Sequence, residues 1–233
     1  MSLQDSFLAL EYSVSIHVFA ISGWNPPSSF QLRNLYFDRH LFQPLLRKTT
    51  EDVVLVPDLL NDGEAEFVND LKDYLTRAQA RFSDKSLFLV RNPSRGSGVG
   101  FFVENSFYPD FILWVREGEG QTISFIDPKG LIFIPDLNSP KLTLYRFLQN
   151  EIMPRLANPN VHLNAFIIST TAFDELRQRY SERALRIPEY EERHVLFQYQ
   201  SRPTRKQTNY IERMFDIIER DTSVPPGSQP PAP

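Results

Sequence analysis

With 233 residues and a net charge of −4, the chain is long enough for one sizeable domain with appendages. Its acidic balance argues against a free-standing, tight nucleic-acid binder, which carries a basic one. The absence of cysteine excludes disulfides and cysteine-based zinc sites and fits an intracellular, cytoplasmic protein. No apolar run reaches about 18 residues and the N-terminus lacks a signal-peptide layout, so no membrane contact is expected.

In chain order, residues 1–27 open with an alternating, β-branched run that predicts a strand, ended by Trp24-Asn25-Pro26-Pro27. Residues 28–47 are expected to be mainly helical up to Gln43, with Pro44 breaking the run. Val53 to Val56 is a short apolar run. Asn61-Asp62-Gly63 then introduces a helix to about Arg81, with Phe67, Leu71, Tyr74, Leu75 and Ala78 as its apolar stripe. At about 100° per residue, Glu64 falls near the middle of that stripe and Glu66 well away from it. Glu64 is also three residues after Asn61, the spacing of a capping box, so two roles are open to it.

Leu87 to Val90 predicts a strand, and Arg91 to Gly98 a loop whose Arg91 and Arg95 could touch a phosphate backbone. Gly96-Ser97-Gly98-Val99-Gly100 precedes a β-type run, Phe101 to Glu104, rather than a helix, so it suits a hairpin loop better than a phosphate cradle. Next comes the most informative stretch, Glu104 to Lys129. Two strand-like runs flank the polar turn Arg116 to Gly120, which predicts an antiparallel hairpin. By strand alternation Asp110, Ile112 and Trp114 share one face of the first run, and Ile123, Phe125, Asp127 and Lys129 one face of the second. Two acids and a lysine are thus predicted at the end of paired strands, beside much apolar surface, where charges occur only when paired or bound to metal.

Ser139 through Leu156 reads as a helix with Ser139 as its cap before Pro140, ended or bent at Pro154. Lys141, Tyr145 and Gln149 share a stripe on it. Val161 to Ser169 is apolar on both faces near its end, as a buried parallel strand is. A helix from Thr171 to Tyr180, a strand from Arg193 to Tyr199 and an amphipathic helix from Thr204 to Arg220 come next. The tail from Thr222 is rich in Pro, Ser and Gly and is expected to be disordered.

Pro109-Asp110, a gap, then Asp127-x-Lys129 resembles the signature of the PD-(D/E)xK nuclease superfamily. That resemblance implies a restriction-endonuclease-like fold, an α/β mixed sheet flanked by helices. It implies that Asp110 and Asp127 bind Mg²⁺ or Mn²⁺ and that Lys129 orients the attacking water or stabilises charge on the phosphate. The carbonyl of Pro128 would also bind the metal; proline there departs from the usual apolar residue and, lacking N–H, suits a strand end or edge. Glu64-x-x-Phe67-Val68-x-x-Leu71 resembles the family's first core helix, whose glutamate joins the metal site. Glu104 is a possible extra ligand, and Lys141 and Tyr145 are second-rank site candidates. The segment Leu35 to Leu46 resembles one that precedes the nuclease domain in DEAD/DEAH-type helicases of type III restriction and phage-defence systems. Residues 1–50 are then an N-terminal segment leading into the core, 51–220 the nuclease domain and 221–233 the tail.

The scattered histidines form no HExxH, and neither a GxSxG elbow nor a GxxxxGK[ST] phosphate loop occurs. The expected function is metal-dependent endonucleolytic cleavage of DNA, as the nuclease module of a restriction or defence helicase, with a translocase as partner. The alternative is a non-catalytic module of the same fold that binds nucleic acid or a partner protein.

Overall fold

The computed structural model describes residues 60–92, 100, 107–132, 139–156, 158–180, 185–204 and 206–223, with the backbone of two strands at 33–37 and 41–47. The expected first strand, the apolar run at Val53, the glycine loop with Arg95, Glu104 and the tail beyond residue 223 lie outside the described residues. The chain forms two compact units, Met1–Leu35 with Leu46–Leu59, and Tyr36–Leu45 with Leu60–Pro233. The second holds the main sheet and its helices.

The stretch expected to be helical at 28–43 is a correction. Strands β1 (Arg33–Phe37) and β2 (Leu41–Arg47) form a two-stranded sheet. Leu35-Tyr36-Phe37 and Leu41-Phe42 are β-favouring residues. In a two-stranded sheet each strand is an edge, so Pro44 is tolerated within β2.

The remaining chain is an α/β structure built on a five-stranded mixed sheet flanked by helices. Helix α1 (Asp62–Arg77) is followed by a 3₁₀ turn and by strands β3 (Lys85–Arg91), β4 (Phe111–Glu117) and β5 (Gly120–Lys129). These three strands are a meander, antiparallel at both pairings. The β4–β5 turn is short, and Gly118 takes a positive φ of 56° there, which glycine adopts without strain. Strand β6 (Val161–Ser169) lies parallel to β5, and the short β7 (Val195–Phe197) parallel to β6. Parallel pairing needs a crossover. It is made by helix α2, which begins at Leu144–Phe147, widens into a π turn at Leu148–Ile152 and ends at Met153–Leu156.

Ser139 does not cap α2. Residues 139–143 form turns, and the helix starts five residues later than its Ser-Pro signal. Pro154, which has no N–H to donate to the preceding turn, sits just past the π segment, a usual accommodation for such a break. Helices α3 (Phe173–Tyr180), α4 (Ile187–Glu191) and α5 (Tyr210–Ser223) complete the set, with a small hairpin of β8 (Tyr199–Ser201) and β9 (Lys206–Gln207) before α5.

Side-chain alternation divides the core in two. Phe111 and Ile126, paired across β4 and β5, face α1, where Phe67 meets Phe111 at 5.4 Å between ring centroids. Phe125 faces the other way, toward Leu142, Leu144 and Tyr145 at the start of α2. Strand β5 is therefore buried without interruption from Thr122 to Pro128, as a strand covered on both faces must be. Phe67, Phe82, Phe111, Phe166, Phe197 and Phe215 are all fully buried, and each burial contributes roughly 1.5–3 kcal/mol. No helix among the described residues is long and apolar enough to cross a membrane.

Candidate functional site

The charged residues picked out by alternation meet at the end of the sheet where β3 and β5 finish and β4 begins. The β4–β5 register runs Trp114 to Ile123, Ile112 to Phe125 and Phe111 to Ile126. One further step sets Asp110 across from Asp127, on the face of Ile112 and Phe125. Asp110 is held there from β3. The backbone N–H of Asn92, the residue after that strand, donates to the Asp110 carbonyl (2.8 Å), and its Nδ2 donates to the Pro109 carbonyl (2.8 Å). Asn92 is itself buried. Its role carries no sequence signal, since its partners lie 17 and 18 residues on.

The two carboxyls lie close enough that each acts on the other's titration. Burial and then the neighbouring Asp127 push Asp110 up to about 7, against the pull of Arg91 and Lys129. Asp127 is raised too, chiefly by burial, while Asp110, Lys129 and Lys141 oppose the rise. Its Oδ2 is buried without a hydrogen-bond partner among the described residues. The Lys129 ammonium lies 3.8 Å from that oxygen, an ion-pair distance but too long for a hydrogen bond. Lys129 is about one-third exposed, so it reaches both the acid and solvent.

Pro128 stands between them in the ladder, opposite Ile168 of β6. The β4 pairing has already ended at Ile126, so on that side the missing N–H forfeits no strand bond. Its position is the strand end that proline favours.

Glu64 closes the capping box and also turns its carboxylate inward, toward Arg91. Its N–H is capped by Asn61 Oδ1 (2.9 Å), and its carboxylate reaches back to the Asn61 N–H (3.1 Å), a complete capping box. The same carboxylate is buried and accepts from the Arg91 guanidinium at 3.0 Å and from Asn61 Nδ2 at 2.9 Å. Burial raises its pKa, Arg91 lowers it, and Asp110 is close enough to raise it further. Among the described residues no three Asp, Glu or His side chains converge at ligand spacing. Asp110 and Asp127 form a pair, and Glu64 stands behind it, bound to Arg91. Gly63 permits this placement: a Cβ there would lie 2.4 Å from Thr170 Cγ2, in the loop after β6.

The stripe Lys141, Tyr145 and Gln149 separates in space. Lys141 joins the site, with its ammonium 5.8 Å from the Phe107 ring centroid. Burial and the adjoining Lys129 lower its pKa. Tyr145 instead stacks on His194 at 4.1 Å, and Gln149 bonds Asp221 of α5 (3.2 Å). His194 is buried between the rings of Tyr145 and Phe166, and burial pushes it down to about 4, so it is neutral and structural.

An oxygen-only donor set with one carboxylate oxygen left unsatisfied fits a hard divalent cation such as Mg²⁺ or Mn²⁺. No protein-family profile, curated protein or solved structure matches the chain.

Proposed function

We propose that this protein hydrolyses DNA phosphodiester bonds as a metal-dependent endonuclease, with Asp110, Asp127 and Lys129 as its working residues. The observation that carries this proposal is the buried Asp127 carboxylate, opposed by Asp110, with one oxygen unsatisfied and an ammonium 3.8 Å away. An unpaired buried acceptor costs roughly 1–3 kcal/mol, and a pair of facing carboxylates adds repulsion, so the arrangement is stabilised by a bound cation.

Asp110 and Asp127 would hold Mg²⁺ or Mn²⁺, joined by the Pro128 carbonyl. When bound, such an ion lowers the pKa of a water and stabilises the charge of the in-line transition state. A cation held there would favour the ionised form of both acids, against the burial that raises them. The Lys129 ammonium, anchored by Asp127 yet open to solvent, donates to the attacking water or to a phosphate oxygen. Arg91, held by Glu64, keeps a fixed positive charge beside Asp110. Neither the acids nor the lysine needs a histidine as base.

The resemblance of Asp110, Asp127 and Lys129 to the PD-(D/E)xK signature supports the same activity, and that of Leu35 to Leu46 supports a restriction or phage-defence setting with a helicase or translocase as partner. The test is nicking of a supercoiled plasmid with Mg²⁺ or Mn²⁺ and with chelator. Wild type nicks only with metal, while Asp127→Ala, Lys129→Ala and a mock purification do not. Wild-type rates in Lys129→Ala would remove the assignment.

A further inference from the structure

The net charge of −4 opposes approach to DNA, so a cleavage site here needs cations placed locally. The β8–β9 hairpin supplies them. Arg202, directly after β8, donates from Nε (3.2 Å) and Nη2 (2.9 Å) to the Thr170 carbonyl, and its guanidinium carbon lies 5.3 Å from the Tyr199 ring centroid. The Thr170 N–H in turn donates to the Lys129 carbonyl (3.0 Å). The guanidinium is therefore fastened to the residue that is bonded to the main chain of Lys129. Lys206 stands at the start of β9 on the same hairpin, and both cations are exposed.

These two cations differ in their partners from other arginines of the domain. Arg81, Arg91 and Arg213 are matched by carboxylates. Among the described residues no carboxylate pairs with Arg202 or Lys206. Nor is the hairpin a loose excursion: Tyr199 bonds Glu66, and Gln207 bonds Asp70 (3.4 Å), so each of its strands is tied to α1. A fixed, planar donor fork with N–H groups to spare is suited to a phosphate diester.

We propose that the β8–β9 hairpin is a DNA-backbone contact of this site, with Arg202 and Lys206 each meeting a phosphate beside the one that is cleaved; it rests on the cleavage reading above. Such contacts position the strand and carry no sequence information.

The experiment is fluorescence anisotropy of a short labelled DNA duplex with the full chain, in chelator so that nothing is cut, over a salt series. Metal-dependent cleavage by the same proteins is measured alongside. Arg202→Ala/Lys206→Ala is expected to weaken binding about tenfold at moderate salt and to flatten the slope of log Kd against log salt by about 1–2, roughly one for each phosphate no longer met. Arg202→Lys keeps most of the slope, and Lys206→Ala alone, which breaks no bond among the described residues, loses about half of the effect. Saturating DNA restores the cleavage rate of the double variant. Equal affinity and slope in wild type and double variant, or no duplex binding by wild type, would overturn the hairpin's role. Hairpin-dependent binding without cleavage would keep the hairpin and remove the nuclease; cleavage indifferent to the hairpin would do the reverse.

Discussion

Two charged clusters in this domain are built from similar residues and behave in opposite ways. At one end of the sheet Arg81 bonds Glu219 (3.1 and 2.7 Å), Asp216 (2.9 Å) and the Tyr74 hydroxyl (2.8 Å), and Lys85 bonds Glu219 (2.9 Å). These bonds lock α5 against the start of β3, and they hold Glu219 below its ordinary pKa and Arg81 above its own. At the other end Asp110 and Asp127 are raised, and one oxygen has no partner among the described residues. The first cluster matches every acid to a donor and stabilises the fold. The second leaves acids facing each other, at a cost to the fold that the proposed cation would relieve. Carboxylates raised by burial and by each other are what the proposed site needs, and lowered ones matched to donors are what a brace needs.

The sharpest way to break this contrast is to remove one residue from each cluster. Lys129→Ala is expected to lower the cleavage rate roughly 10²–10³-fold, the usual cost of losing one transition-state donor, with Mn²⁺ affinity and melting temperature nearly unchanged. Arg81→Ala should show the converse. It is expected to cost about 1.5 kcal/mol, from hydrogen bonds to charged groups, and to lower the melting temperature by roughly 3–6 °C. Its cleavage rate below the transition should match wild type. A cleavage defect in Arg81→Ala as large as that of Lys129→Ala would erase the distinction.

Glu64→Gln comes next. The amide can still cap α1 but no longer carries the charge that holds Arg91, so Mn²⁺ affinity should fall about tenfold, as for residues behind metal ligands. Calorimetric titration measures this, and an unchanged affinity would leave Glu64 as a helix cap alone.

The smallest effect is in pH dependence, and its sign differs between the clusters. Glu219, lowered, contributes stability above its ordinary pKa and loses it as pH falls. Asp110, raised to about 7, contributes relative stability at low pH and loses it as pH rises through about 7. Asp110→Asn in chelator should therefore be at least as stable as wild type, with an advantage of order 1 kcal/mol by about pH 8 after screening of the partly exposed group. Denaturant melts at several pH values check this; a variant losing ground as pH rises would contradict it.

Much of the site is legible in the sequence because strand alternation is a strict period of two. With Phe125 and Ile112 facing inward, Asp127 and Asp110 have to share their face, and the register places them so. Strand β6 is equally legible from Val161 to Ser169. The bonds from Asn92 to Pro109 and Asp110, and from Arg91 to Glu64, are not, because they join residues 17 to 27 positions apart through the fold alone. Segment 28–47 misleads because its short aromatic runs fit either period. The start of α2 misleads because Ser139-Pro140 is a common helix opening, whereas here the Ser139 carbonyl closes turns onto Leu142 and Thr143 first.

The most direct test of the central claim is thermal melting of wild type and Asp110→Asn in chelator and in Mn²⁺ at fixed ionic strength. At about ten times Kd the ion should stabilise wild type by roughly 1.4 kcal/mol. For a chain of this size that is a rise of roughly 3–6 °C. Asp110→Asn should lose most of that rise while melting no lower than wild type in chelator. Equal metal-induced shifts in the two proteins would mean that the ion binds elsewhere, and Asp110 and Asp127 would not be its site.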